Sequence, residues 1–193
     1  MIEFQKYFAY GSNMHPARLE KRIGPCDIIS VARLPRAELR FHKTGLDRSG
    51  KCDIVFQQNH SKEVWGVVYQ ISEGQKSRLD QYESLGQGYQ ILKINVLTQQ
   101  NQIMNVFTYQ AMPQYIEHSL KPFDWYHELV MLGAQFHKFP VSYLDELQQV
   151  SFLPDSDQKS VRMHQNLLNT IRKKQQSNFD ENDQILNYED QTQ

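Results

Sequence analysis

The chain has few thiols: of its 193 residues only Cys26 and Cys52 are cysteines. Two cysteines cannot build the disulfide framework of a small secreted domain, so the expected setting is the reducing cytoplasm. Neither sign of charge is in excess. With 21 Lys and Arg against 22 Asp and Glu the net charge is −1, and no electrostatic footprint for nucleic acid results. No apolar run approaches the roughly 18 residues that a membrane-spanning helix needs. The opening Met1-Ile2-Glu3-Phe4-Gln5-Lys6 has neither the basic start nor the apolar stretch of a signal peptide. Neither nucleic acid nor a membrane is therefore expected as a partner.

The familiar chemical signatures are missing too. There is no G-x-S-x-G, no P-loop, no G-x-G-x-x-G, no C-x-x-C and no H-E-x-x-H. The seven histidines are His15, His42, His60, His118, His127, His137 and His164. They are scattered, and the spacing of His127 and His137 does not put them on one helix face, so no metal site is expected. Cys52, next to Asp53, reads as a strand residue rather than a nucleophile.

What is present is enough for one core. Hydrophobic residues make up 39% and aromatics 11%, and the length suits a single domain. A mean hydropathy of −0.65 owes part of its polarity to the Gln- and Asn-rich C-terminal end. Strands are expected over Asp27–Leu34, Ala37–His42, Asp53–Gln57 and Glu63–Ile71, the last dominated by Val, Trp and Tyr. Gly66 inside it suggests a bulge or a close backbone approach. Ser72-x-x-Gln75 fits a capping box, opening a helix from about Glu73 to Ser84 that Gly86 and Gly88 end. Tyr89–Thr98 and Gln102–Tyr109 fit a hairpin around Gln99-Gln100-Asn101. Helices follow over Phe123–Phe136 and Ser142–Val150, and Met163, Leu167, Leu168 and Ile171 could line one face of another. Residues 1–176 read as the folded domain. Ser177–Gln193 holds five acidic residues and no basic one, and reads as a disordered tail. The element order is not the regular alternation of a doubly wound parallel sheet. The expected class is α+β, with a mixed or barrel-like sheet and a few helices packed outside it.

Two stretches carry candidate chemistry. In Tyr7-Phe8-Ala9-Tyr10-Gly11-Ser12-Asn13-Met14 a strand runs into a tight loop, and His15-Pro16 then opens a helix. Gly11 would permit positive φ and close approach of a ligand. The loop amides, ahead of a helix N-terminus, offer a seat for a carboxylate. The same letters also suit an ordinary strand-to-helix turn. The second stretch is Leu79-Asp80-Gln81-Tyr82-Glu83-Ser84-Leu85-Gly86-Gln87-Gly88-Tyr89. Here Glu83 falls at a helix end before a glycine-rich turn, where a carboxylate can be partly withdrawn from solvent in a cleft. Asp80 and Glu83 could equally be a solvated helix face.

Tyr7 to Met14 resembles the signature of the gamma-glutamylcyclotransferase family. So do Glu63-Val64-Trp65-Gly66-Val67-Val68-Tyr69, then Leu79-Asp80…Glu83…Gly88-Tyr89, and the later Trp125-Tyr126…Leu132-Gly133-Ala134…Pro140…Tyr143…Leu147. Order and approximate spacing hold from Tyr7 to about Val150. The resemblance implies a small mixed barrel with helices outside. It implies cyclisation of a γ-glutamyl compound to 5-oxoproline with release of an amino acid or amine, without metal or organic cofactor. It places the catalytic glutamate on Glu83 and substrate binding on Tyr7, Phe8, Ala9, Tyr10, Gly11 and Ser12, with Tyr126 and Tyr109 nearby. The partner implied is a small γ-glutamyl substrate; the oligomeric state, a homodimer included, stays open. An amine-specific or natural-product-specific cyclotransferase, and a non-enzymatic binding module of the same fold, remain alternatives. The sequence departs from the family at Ser84, where a glycine is usual, in a turn to Tyr89 that is one residue short, and at Lys51-Cys52-Asp53. Those departures bear on the pocket rim and hence on the leaving group.

Overall fold

The computed structural model describes residues 3–58 and 62–173, so the acidic tail lies outside the described residues. The elements run β1 (Phe4–Ala9), α1 (Pro16–Ile23), β2 (Asp27–Pro35), β3 (Ala37–Thr44), β4 (Gly50–Phe56), β5 (Glu63–Ser72) and α2 (Glu73–Tyr82). They continue with β6 (Tyr89–Thr98), β7 (Ile103–Ala111), a single 3₁₀ turn at Pro113–Tyr115, α3 (Asp124–Phe136), α4 (Val141–Gln148) and α5 over 158–173. Five strands close a barrel in the order β1-β5-β2-β6-β7, and β3 with β4 forms a separate two-stranded sheet. The barrel closes where Tyr7 of β1 meets Phe107 of β7 in parallel, while its other pairings are antiparallel. This is the small mixed barrel flanked by helices that the sequence leads one to expect.

Residues Val64, Val67, Val68, Tyr69 and Ile71 are buried, which places β5 at the centre of the core. Gly66 is needed for proximity: a Cβ there would stand 2.5 Å from the Ala9 carbonyl and 2.6 Å from the Phe8 ring. The register shifts lie elsewhere, in β2 between Ile28 and Ser30 and in β3 between Arg40 and Lys43. Helix α3 buries Trp125, Tyr126, Leu129, Val130 and Ala134, and its Gly133 lets it press on the loop after β1, since a Cβ there would lie 2.7 Å from Met14 Cβ. That loop is pinned from both sides. Tyr69 donates its hydroxyl to the Met14 carbonyl at 2.5 Å, and the His137 ring lies 2.9 Å from the same oxygen. In α5, Leu167, Leu168 and Ile171 are buried, but Met163 is 59% exposed, so the expected fourth member of that apolar face points away from it.

The end of α2 corrects the sequence reading. The capping box at Ser72 and Gln75 forms as expected, but the helix stops at Tyr82 with Glu83 as its C-cap. Ser84 N–H donates to Gln81 O at 3.1 Å and Leu85 N–H to Asp80 O at 2.9 Å. This pair of bonds is the Schellman arrangement, which wants a left-handed residue just past the cap. The residue in that position is Ser84, with φ of 51°, rather than either of the glycines expected to end the helix. Gly86 supplies the second positive φ, 80°, as the chain turns into β6.

Candidate active site

Glu83 owes its place to this termination. With α2 ending under it, its carboxylate reaches across to α1 and to the loop after β1. Oε1 accepts from Arg22 Nη1 at 2.8 Å and from Asn13 Nδ2 at 2.9 Å. The same Arg22 nitrogen also donates to Asn13 Oδ1 at 2.9 Å, which closes a triangle. Both ends of the ion pair are shielded, with side-chain exposures of 17% for Arg22 and 15% for Glu83. Oε2 accepts no hydrogen bond among the described residues. One oxygen is held and the other is free, so the carboxylate is oriented without being saturated.

The loop that faces Glu83 is built by packing. His15 caps α1, its ring accepting from Ala17 N–H at 3.1 Å, and Pro16 takes the first helical position. Met14 N–H closes a turn onto Gly11 O at 3.0 Å. Among the described residues, the Ser12 and Asn13 amides reach no backbone carbonyl, although both residues are buried. Buried amides without a protein acceptor suit a ligand or water. Gly11 is not in the left-handed region, contrary to the sequence expectation. It is glycine because β4 passes close by: a Cβ would lie 2.9 Å from Cys52 Cβ and 3.2 Å from its Sγ.

An inner pocket opens here, lined by Tyr7, Tyr10, Gly11, Ser12, Asn13, Cys52, Glu83, Tyr89, Tyr109 and Tyr126. Five phenols share it, and each is pushed above its ordinary pKa, burial being the largest cause. For Tyr7 the charge of Glu83 adds to the effect; for Tyr109 its hydrogen bond to Asp80 does. The pocket therefore presents neutral hydroxyls around one carboxylate. Most of those hydroxyls are fixed. Tyr10 donates to Tyr109 O at 2.5 Å, Tyr89 donates to Cys52 O at 2.7 Å, and Tyr126 accepts from Cys52 N–H at 3.1 Å. Tyr7 accepts from Asn13 Nδ2 at 3.2 Å. Burial pushes the Cys52 thiol up to about 12, in line with a packing role.

The structure thus gathers Tyr7, Tyr10, Gly11, Ser12, Glu83, Tyr109 and Tyr126 around one cavity. Phe8 and Ala9 do not line it; both are fully buried in the barrel, and the Phe8 carbonyl accepts from Thr108 Oγ1 at 2.7 Å. Asp80 is not part of a solvated face. It pairs with Lys76 at 2.8 Å and accepts the Tyr109 hydroxyl at 2.6 Å. Sequence reasoning left out the Arg22 and Asn13 side chains, Cys52 and Tyr89 as site members. Arg22 could have been found from its place in the last turn of α1, on a face that the apolar pattern makes adjacent to the loop. Two of the described histidines are tied into the fold: His42 pairs with Asp53 at 2.9 Å, and His127 lies 2.8 Å from Leu147 O. Among the described residues no group of three or more His, Cys, Asp or Glu is placed to hold a metal ion, and no helix is long and apolar enough to cross a membrane.

Beyond Ser12, Glu83, Tyr89 and Tyr126 the pocket widens into an outer cleft of about 430 Å³, bordered by α1, the β3–β4 sheet and α5.

Residues 63–147 match the AIG2-like family. The human gamma-glutamylcyclotransferase is 30% identical over 149 residues, spanning 75% of this chain and 77% of that one. The bovine gamma-glutamylcyclotransferase is 32% identical over the same length and shares. A solved structure of a gamma-glutamyl cyclotransferase superposes with a TM-score of 0.75 over 85% of this chain and 99% of that chain, at 24% identity.

Proposed function

Since this chain belongs to the gamma-glutamylcyclotransferase family and is an enzyme of that type, we propose that it cyclises a γ-glutamyl compound to 5-oxoproline, with Glu83 as general acid and base. The substrate supplies its own nucleophile. Its α-amine must add to its own γ-carbonyl carbon, and as an ammonium ion it cannot. Glu83 Oε2 takes the ammonium proton, the freed nitrogen adds to the carbonyl carbon, and the amide C–N bond breaks. Glu83 hands this proton to the departing nitrogen, and the second proton, which the ring nitrogen sheds on becoming the lactam N–H, follows through the same carboxylate; the amine leaves as an ammonium ion and Glu83 is regenerated.

The rest of the pocket supplies position. The Ser12 and Asn13 amides hold the substrate α-carboxylate, and the buried phenols fold the glutamyl chain so that amine and carbonyl meet. Oxygen charge that develops on the carbonyl is met by the Tyr7 hydroxyl, which accepts from Asn13 and has its own hydrogen to give. The observation that carries this reading is the asymmetry at Glu83, a residue that lines the pocket: Oε1 is tied to Arg22 and Asn13, while Oε2 accepts no hydrogen bond among the described residues. A panel of γ-glutamyl dipeptides and γ-glutamyl amines tests it. The expected result is one 5-oxoproline per amine or amino acid released. Hydrolysis to free glutamate instead would contradict intramolecular attack.

A further inference from the structure

The outer cleft has a charge surplus that the cyclisation site does not use. Four cations line it, Arg18, Arg22, Lys43 and Lys51, against two carboxylates, Asp47 and Glu83. Arg22 is matched by Glu83 at 2.8 Å and Lys51 by Asp47 at 2.7 Å. Arg18 and Lys43 are left over. Lys43 is only 6% exposed, and its ammonium makes no hydrogen bond or ion pair among the described residues. It lies over the faces of Tyr89 and Tyr115, with Nζ 4.9 and 6.0 Å from the ring centres, and Gly88 leaves it room, since a Cβ there would stand 3.0 Å from Nζ. Arg18 Nε is buried without a partner. Burial pushes both cations below their ordinary pKa, Arg18 to about 9, with the charge of Arg22 adding to the effect there.

A buried ammonium and a half-buried guanidinium without an ion-pair partner are unfavourable, and an occupant that neutralises them gains correspondingly. Charge counting identifies the occupant. Within the inner pocket, Glu83 and Arg22 cancel, and the substrate ammonium and α-carboxylate cancel. Two positive charges then face the leaving group. Resting on the cyclisation reading above, we propose that the outer cleft is a leaving-group subsite for a dicarboxylic amino acid, with Lys43 and Arg18 each meeting one carboxylate.

Kinetics with γ-glutamyl-glutamate, γ-glutamyl-alanine and γ-glutamyl-methylamide tests this. Wild type should show kcat/KM falling in that order. Lys43→Met and Arg18→Gln should each cut the ratio of kcat/KM for γ-glutamyl-glutamate over γ-glutamyl-methylamide by about tenfold or more, the scale of a hydrogen bond to a charged group. Arg18→Lys should restore part of the ratio. Equal kcat/KM across the three substrates in wild type, or unchanged ratios in the variants, would overturn the subsite while leaving cyclisation intact. Titration calorimetry with the free leaving groups needs no turnover. Wild type should bind L-glutamate more tightly than L-alanine, and the double variant Lys43→Met, Arg18→Gln should lose that preference. If no substrate yields 5-oxoproline, the cyclisation reading fails, and the titration still decides the subsite: no preference for L-glutamate overturns it.

Discussion

Arg22 Nη1 stands 2.8 Å from Glu83 Oε1 and donates at the same time to Asn13 Oδ1, so a residue of α1 sets the rotamer of the carboxylate at the end of α2. Arg22→Met should leave Glu83 held by Asn13 alone. A loosened general base costs turnover more than affinity, because small misplacements at a reacting centre reach about 10²-fold. The expected result is a fall in kcat of that order with a much smaller change in KM, partly recovered by Arg22→Lys. An unchanged kcat would show that Arg22 is a structural ion pair only.

Gly11 is fixed by proximity to β4. Gly11→Ala places a methyl carbon 2.9 Å from Cys52 Cβ, which forces the loop and β4 apart. Overpacking of this kind destabilises by about 1–3 kcal/mol. Both a lower melting temperature and a raised KM are expected, since the Ser12 and Asn13 amides move with the loop. Retention of both values would mean that the loop is free to yield.

Ser84 occupies the left-handed position after the α2 cap, with φ of 51°. A side chain there is disfavoured by about 1–2 kcal/mol, partly offset by the greater freedom of glycine in the unfolded chain. Ser84→Gly should therefore raise stability by about 0.5–1 kcal/mol, read from denaturant melts. A loss of stability would show that the Ser84 side chain contributes more than its backbone costs.

Burial pushes the thiols of Cys26 and Cys52 up to about 12. The reactive species is the thiolate, so between pH 7 and 9 the native protein should be alkylated far more slowly than the unfolded chain, whose thiols ionise near 8.5. Rapid modification of native Cys52, with loss of activity, would place a reactive thiol in the pocket.

The strands were legible because they are dense in Val, Ile, Tyr and Trp and their turns carry glycine or polar clusters, while closure into a small barrel came from the family resemblance; Glu63–Ser72 and the β6–β7 hairpin fall almost where the letters put them. Chain ends of elements were less legible. Sequence could not show that Ser84 would take the conformation usually given to glycine, because Gly86 and Gly88 offered a better local choice and the Schellman bonds decided otherwise. Gly11 was legible as necessary but not as to why: its neighbour Cys52 is distant in sequence, and proximity of that kind has no local signal. The same holds for the Arg22–Asn13–Glu83 triangle. Each member sits on a different element, so only the packing of α1, α2 and the loop brings them together. Phe8 and Ala9, adjacent in sequence to pocket residues, are fully buried in β1 and do not reach the pocket, a difference set by the packing around the strand and not by the letters themselves.

The central claim is that Glu83 moves the proton. Glu83→Gln preserves shape and keeps an oxygen for Arg22 and Asn13, but its amide cannot accept the ammonium proton. The rate of 5-oxoproline formation at saturating γ-glutamyl substrate should fall by about 10²–10⁴-fold, with the protein still cooperatively folded and its melting temperature lowered only by the Arg22 charge left without its partner. Turnover within about tenfold of wild type, below the range for loss of a general base, would contradict the assignment and move the base to another group of the pocket.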